Sequence, residues 1–213
     1  MKDAFLDVDN VSLALGGQAL LSDVSLTASP GDVLGIIGRN GSGKSMLFKC
    51  IAGLVVPQAG EIRVDGFGVV SQRRFPPRMG ALIEKPGFIG SLTAFANLDI
   101  LASIQGVIGK PEILDAMREV GLEDVANKRV RKFSLGMKQR LGIAQAIMEH
   151  PKLLILDEPT SGLDTSGVEM LRKLVGRLSS EGTTILIASH LAEDIDVLCN
   201  RTLRMERGAL QPL

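Results

Sequence analysis

The pattern of apolar and polar positions changes period twice along the chain. Alternation over 4–8 and 20–26 predicts two early strands, with Gly16-Gly17 as the turn between them. Val33-Leu34-Gly35-Ile36-Ile37, announced by Pro30-Gly31, predicts a strand buried in a parallel sheet, and Met46–Ala52 predicts a helix that stops near Gly53. Pro57-Gln58-Ala59-Gly60 predicts a turn, and 61–64 a short strand. The stretch 67–78, with Arg73, Arg74, Pro76 and Pro77 together, predicts irregular chain, and Gly80–Ile83 a further strand.

After the loop Glu84-Lys85-Pro86-Gly87 the period becomes helical. Residues 93–105, 111–120 and 136–149 carry apolar side chains at helical spacing, as in Leu141, Ala144, Ile147 and Met148. Thr93 and Pro111 are suitable helix starters. Lys152–Leu156 then predicts a strand apolar on both faces, followed by an amphipathic helix over 166–180, a buried strand over 183–188, a short helix over 191–198 and a last strand over 202–206. The order predicts one α/β domain over 1–213: a strand-bearing core over about 1–84 and 151–213, with a helical subdomain over about 85–150 inserted in it.

The chemistry concentrates at Gly38-Arg39-Asn40-Gly41-Ser42-Gly43-Lys44-Ser45, which fits the phosphate-binding pattern G-x-x-x-x-G-K-[ST] between a predicted strand and helix. Gly38, Gly41 and Gly43 let the backbone approach an anion with no Cβ in the way. The N–H groups around Asn40 and Ser42, and the positive end of the following helix, form a nest for phosphate oxygens. Lys44 reaches the β- and γ-phosphates in such a loop, and the Ser45 hydroxyl ligates Mg²⁺. Downstream, Asp157 and Glu158 end a buried strand, where ligands sit in open α/β sheets. Asp157 is expected to hold Mg²⁺ and Glu158 to polarise the water that attacks the γ-phosphate. A nucleoside triphosphate and Mg²⁺ are what these residues ask for.

Composition narrows the partners. Lys+Arg of 24 against Asp+Glu of 24 leaves no net charge, so a nucleic-acid partner is not expected. Cys50 and Cys199 stand far apart in no metal-type spacing and read as thiols of a reducing cytoplasm. Mean hydropathy is +0.23. Yet runs such as Leu153–Leu156 and Ile185–Ala188 are far shorter than the ~20 residues of a spanning helix. Asp3, Asp7 and Asp9 interrupt any apolar leader at the N-terminus. The excess hydrophobicity belongs to buried strands or to a docking surface.

Asp157-Glu158-Pro159-Thr160-Ser161-Gly162-Leu163-Asp164 resembles the run from the Walker B strand to the D-loop of ATP-binding cassette (ABC) ATPases. Phe133-Ser134-Leu135-Gly136-Met137-Lys138-Gln139-Arg140 is similar to their signature motif, and Ser189-His190 to their switch histidine. The order of motifs covers nearly the whole chain. The resemblance implies a RecA-like P-loop NTPase core with a mixed sheet, N-terminal antiparallel strands and an inserted α-helical subdomain. It implies that the nucleotide is ATP, with a γ-phosphate contact from His190. It also implies a second ATPase subunit, same or different, whose residues at the positions of Ser134, Gly136 and Asp164 complete each nucleotide site. Ser134 is a suitable helix cap and Gly136 permits close approach, so the helix dipole points outward there. His150, before Pro151, reads instead as a partner of its own helix C-terminus.

Four positions depart from the family pattern. Leu15 stands where an aromatic residue stacks on adenine, Met46 where a hydroxyl helps hold the α-phosphate, and Glu84 where the Q-loop glutamine assists Mg²⁺. The signature has Leu135 and Met137 in place of Gly and Gln. Ile83–Phe88 and Phe133–Ala144 further resemble ATPases of bacitracin- and lantibiotic-type peptide exporters. The function implied is the ATPase subunit of an ABC transporter. It would lie in the cytoplasm against the membrane, with a membrane-spanning subunit docked around 84–105. The rival classes fare worse. A translation- or repair-type ABC ATPase has two cassettes or long coiled-coil insertions, absent here. A P-loop GTPase fails because Asn127-Lys128-Arg129-Val130 has no aspartate at its end.

Overall fold

The computed structural model describes residues 4–212; Asp3 and the outermost ends of the predicted 1–213 domain lie outside them. The early hairpin forms as β1 (Leu6–Leu15) and β2 (Gln18–Ala28), turning at Gly16 and Gly17 with φ of 56° and 80°. Both strands are longer than the alternation indicated. The β1–β2 register shifts between Val8 and Val11, where Asn10 takes φ 49°, and such a bulge breaks the two-residue period by which strands are recognised. Beyond β3 (Val33–Ile37) and α1 (Lys44–Ile51) come β4 (Ala59–Val64), β5 (Phe67–Gly68) and α2 (Val69–Gln72). The segment expected to be irregular is therefore ordered as far as Gln72, because Val69 is buried and Phe67 and Val70 pack on the core. These strands make an antiparallel sheet of order β2-β1-β4-β5.

The second sheet runs β10-β9-β3-β8-β7-β6, from β6 (Met79–Leu82), β7 (Leu153–Asp157), β8 (Thr184–Ser189), β9 (Arg201–Glu206) and β10 (Ala209–Pro212). All neighbours in it are parallel except β9 and β10. β10 was not foreseen; its signal was Arg207-Gly208, whose φ of 48° and 83° suit a tight hairpin turn. The helices lie close to their expected places: α3 (Ala94–Gln105), α4 (Lys110–Glu119), α5 (Leu135–Ile147), α6 (Thr165–Ser180) and α7 (Ala192–Leu198). Thr93 caps α3, its hydroxyl accepting from Ala96 N at 3.1 Å.

Alternate residues of the central strands build two different cores. Leu153, Ile155, Leu186 and Ala188 join the antiparallel sheet and α1 in one apolar cluster; Leu154, Leu156, Ile185 and Ile187 join α3–α7 in the other. That two-sided burial is why β7 and β8 read as unbroken apolar runs. Leu98, Ile113, Met117 and Leu141 of the helical block belong to the same cluster as the strands, so the block shares its core with the sheet beneath it. Among the described residues no helix is long and apolar enough to cross a membrane.

β6 lies so close to α5 that a Cβ on Gly80 would run into the carbonyl of Ala146, whereas Gly176 in α6 faces open space. Gly80→Ala is expected to destabilise the fold by about 1–3 kcal/mol through overpacking. Gly176→Ala should stabilise it by about 0.8–1 kcal/mol. Denaturant midpoints at unchanged slope check both signs.

Candidate functional site

The loop after β3 bends through Gly41 (φ 78°) and Gly43 (φ 114°) before α1 begins. Only glycine serves at Gly43: a Cβ there would sit 2.8 Å from the Leu20 carbonyl, besides the disallowed φ. No side chain caps α1. The N–H groups of its first turn therefore keep their anion-binding capacity. Lys44 is buried and folds back over the loop, donating to the carbonyls of Gly38 at 2.6 Å and Arg39 at 3.3 Å. Asn40, Gly41, Ser42, Ser45 and Met46 line one side of a cavity of about 240 Å³, with Asp157 and Glu158 opposite. On the far side of the loop a wider cavity of about 660 Å³ is lined by Gly38–Ser42, His190 and the β9–β10 turn with Arg204 and Arg207.

Parallel pairing brings the predicted acids to this loop. Asp157 ends β7 and is buried, with Oδ1 lacking any hydrogen-bond partner. Burial pushes its carboxyl above the usual range, against the opposing pull of the Ser45 hydroxyl, Lys44 and the Glu84 main-chain N–H, with Glu158 adding to the rise. A buried, orphaned carboxylate oxygen beside a hydroxyl fits a hard cation, so the residues present suit Mg²⁺. Among the described residues no three acids, histidines or cysteines cluster as a complete metal cage.

Glu158 sits at φ 50°, a backbone region costly for a non-glycine residue and frequent at functional sites. One oxygen, Oε2, lies 2.8 Å from His190 Nδ1; the other, Oε1, is 3.8 Å from Lys44 Nζ and makes no hydrogen bond. The turn is held from three directions. Glu158 N–H donates to the Ala188 carbonyl at 2.9 Å, and the Gln139 amide donates to the carbonyls of Glu158 and Pro159, both at 3.1 Å. Asp194 accepts from Thr160 Oγ1 at 2.6 Å and Ser189 Oγ at 3.0 Å.

Sequence reasoning passed over the positioning roles of Gln139, Ser189 and Asp194. Gln139 and Ser189 stand inside or beside the motifs; Asp194 carries no sequence signal, since its partners are distant in the chain.

The signature residues lie elsewhere on the surface. Ser134 caps α5, its Oγ accepting from Met137 N at 3.2 Å. Gly136 packs on the Gly162 carbonyl, which a Cβ would approach to 2.7 Å. Asp164 caps α6 through Gly167 N at 2.9 Å and pairs with Arg140 at 3.0 Å, and these bonds hold its carboxyl below the usual range. Neither Ser134, Gly136 nor Asp164 lines the cavities around Lys44. Leu135 is exposed, covering Gly162, and Leu15 is exposed at the tip of the β1–β2 hairpin. Glu84, expected among the Mg²⁺ ligands, stands two residues beyond the end of β6. Its carboxylate pairs with Lys49 Nζ at 2.6 Å. His150 turns the chain after α5 at φ 50°, its N–H donating to Ile147 O at 3.0 Å.

Comparison with known proteins agrees with this geometry. The model of the ABC transporter family matches residues 21–161. The chain is 40% identical over 206 residues to the uncharacterized ABC transporter ATP-binding protein YybJ of Bacillus subtilis (strain 168), covering 97% of this chain and 94% of that protein. It is 40% identical over 197 residues to the bacitracin transport ATP-binding protein BcrA of Bacillus licheniformis, covering 92% of this chain and 64% of that longer one. A solved ATP-binding subunit of an ABC transporter superposes with a TM-score of 0.87 at 28% identity, over 98% of this chain and 90% of that one. With the family matched over most of its length and the phosphate loop, strand-end acids and histidine in one place, the chain belongs to the ABC transporter family, as an ATP-binding and ATP-hydrolysing subunit.

Proposed function

We propose that this ATPase powers export of a peptide antibiotic of the bacitracin or lantibiotic kind through a separate membrane-spanning subunit. The reading places it at the cytoplasmic face of the membrane, with 84–105 as the docking region. The observation that carries the catalytic part is the Glu158 carboxylate, fixed by His190 on one oxygen and left free toward Lys44 on the other. The likeness to the bacitracin transport protein supports the peptide cargo.

In the proposed cycle Lys44 exchanges the carbonyls of Gly38 and Arg39 for β- and γ-phosphate oxygens, while the loop N–H groups around Gly41 and Gly43 take the rest. Ser45 and Asp157 would hold Mg²⁺, which supplies charge neutralisation to the phosphates when bound. Glu158 Oε1 accepts a proton from the water that attacks the γ-phosphorus as ADP leaves. His190 keeps Oε2 engaged, so the free oxygen faces the phosphate side. The cap at Ser134 and Gly136, remote from Lys44 in its own chain, serves the nucleotide of a second subunit. Two chains then close head to tail on two ATPs, and hydrolysis reopens them.

Glu158→Gln is expected to lower turnover by about 10²–10⁴-fold and to trap an ATP-bound dimer. Steady-state hydrolysis with light scattering checks this; hydrolysis at the native rate would remove Glu158 from its role. Leu15 offers no aromatic face to the base, so ATP and GTP should bind weakly and with similar affinity. Leu15→Tyr should tighten ATP by ~1–3 kcal/mol. Parallel titrations decide, and strong native preference for ATP would contradict the assignment.

A further inference from the structure

Glu84 combines two unusual features. It takes φ 60°, a left-handed conformation that non-glycine residues rarely adopt, and it places a carboxylate where the family pattern has a neutral amide. Its place beside the site comes from β6, whose Leu82 lies opposite Leu156, one residue before Asp157, and its Oε1 accepts from Lys49 Nζ at 2.6 Å. Among the described residues, Lys49 is the one cation within 4.0 Å of Glu84. Lys49 is itself well placed. It lies in the last turn of α1, its carbonyl accepts from Leu54 N at 2.9 Å and Val55 N at 3.2 Å, and its side chain is half-buried. One helix thus carries two ammonium groups with different tasks, Lys44 at the phosphate end and Lys49 at the Glu84 end.

The electrostatics give this pair a function. Asp157 and Glu158 already face the phosphate loop, and a bound triphosphate brings more negative charge. A third carboxylate, free to swing toward that site, would oppose nucleotide binding. Lys49 draws the carboxylate of Glu84 to the α1 side.

Resting on the phosphate-site reading above, we infer that Lys49 is a positioning residue for nucleotide binding, holding the Glu84 carboxylate clear of the phosphate site. The pair is too exposed to matter much for the stability of the fold. Its effect falls on affinity.

The test is a double-mutant cycle, read as the dissociation constant of a non-hydrolysable imido analogue of ATP with Mg²⁺, with thermal midpoints alongside. Lys49→Gln is expected to weaken binding roughly two- to fivefold, the scale of one exposed charge pair. The loss should shrink at high ionic strength. Lys49→Arg should retain the parental affinity. Combined with Glu84→Gln, the Lys49→Gln change should have no further effect, because no carboxylate remains to be held. A purely structural role predicts a lowered thermal midpoint and the same loss in both backgrounds, and either that result or an unaltered affinity in Lys49→Gln overturns the inference. Failure of the phosphate-site reading looks different: the parent chain would bind the analogue no better than its Lys44→Ala variant.

Discussion

Everything at the site depends on the parallel pairing of β3, β7 and β8. In that register Ile37 lies beside Ser189, and Asp157 beside Ala188, so the three strands end together. The phosphate loop, Glu158 and His190 are the next residues out, and Asp157 is the last residue of its strand. Each strand is clamped by apolar contacts on both faces, and interiors packed to that density leave little room for a strand to slide. A slip of one residue would send every side chain of the strand to the opposite core. The polar groups therefore inherit their spacing from Leu, Ile and Val side chains that touch no nucleotide.

Against that rigid frame, the polar groups themselves are left incompletely satisfied. Asp157 Oδ1, Glu158 Oε1 and Ser42 Oγ are buried without hydrogen-bond partners. Such groups are costly in a folded interior, by roughly 1–3 kcal/mol each, and persist where a ligand is to complete them. Lys44 is the counterpart: it donates to two carbonyls of its own loop. The site is thus a set of donors and acceptors facing the same space, spaced by the strands and suited to a polyanion and a cation.

Much of this was legible from residue patterns. The helices of the inserted block, the buried strands and the phosphate loop all have short-range signals, which is why their expected and observed bounds nearly coincide. What escaped did so for distinct physical reasons. β1 and β2 were shortened because a bulge at Asn10 interrupts the alternation. β5 and α2 were passed over because two arginines and two prolines dominate the composition of that stretch. Glu84 was read by analogy with a glutamine, and its partner Lys49 lies 35 residues upstream. Gln139 and Asp194 reach the acidic turn from elements distant in the chain, so no local pattern could announce them.

The two hydrogen bonds from the Gln139 amide to the turn at Glu158 and Pro159 have a mechanical meaning. Gln139 stands on the second turn of α5, whose capped start carries Ser134 and packs Gly136 on Gly162. Helix start and acidic turn are thereby cross-braced at both ends of the run from Glu158 to Gly162. Displacing α5 would break those bonds or drag the turn with it. The capped start of α5 and the Glu158 carboxylate behave as one rigid bracket, and a load applied at either is felt at the other.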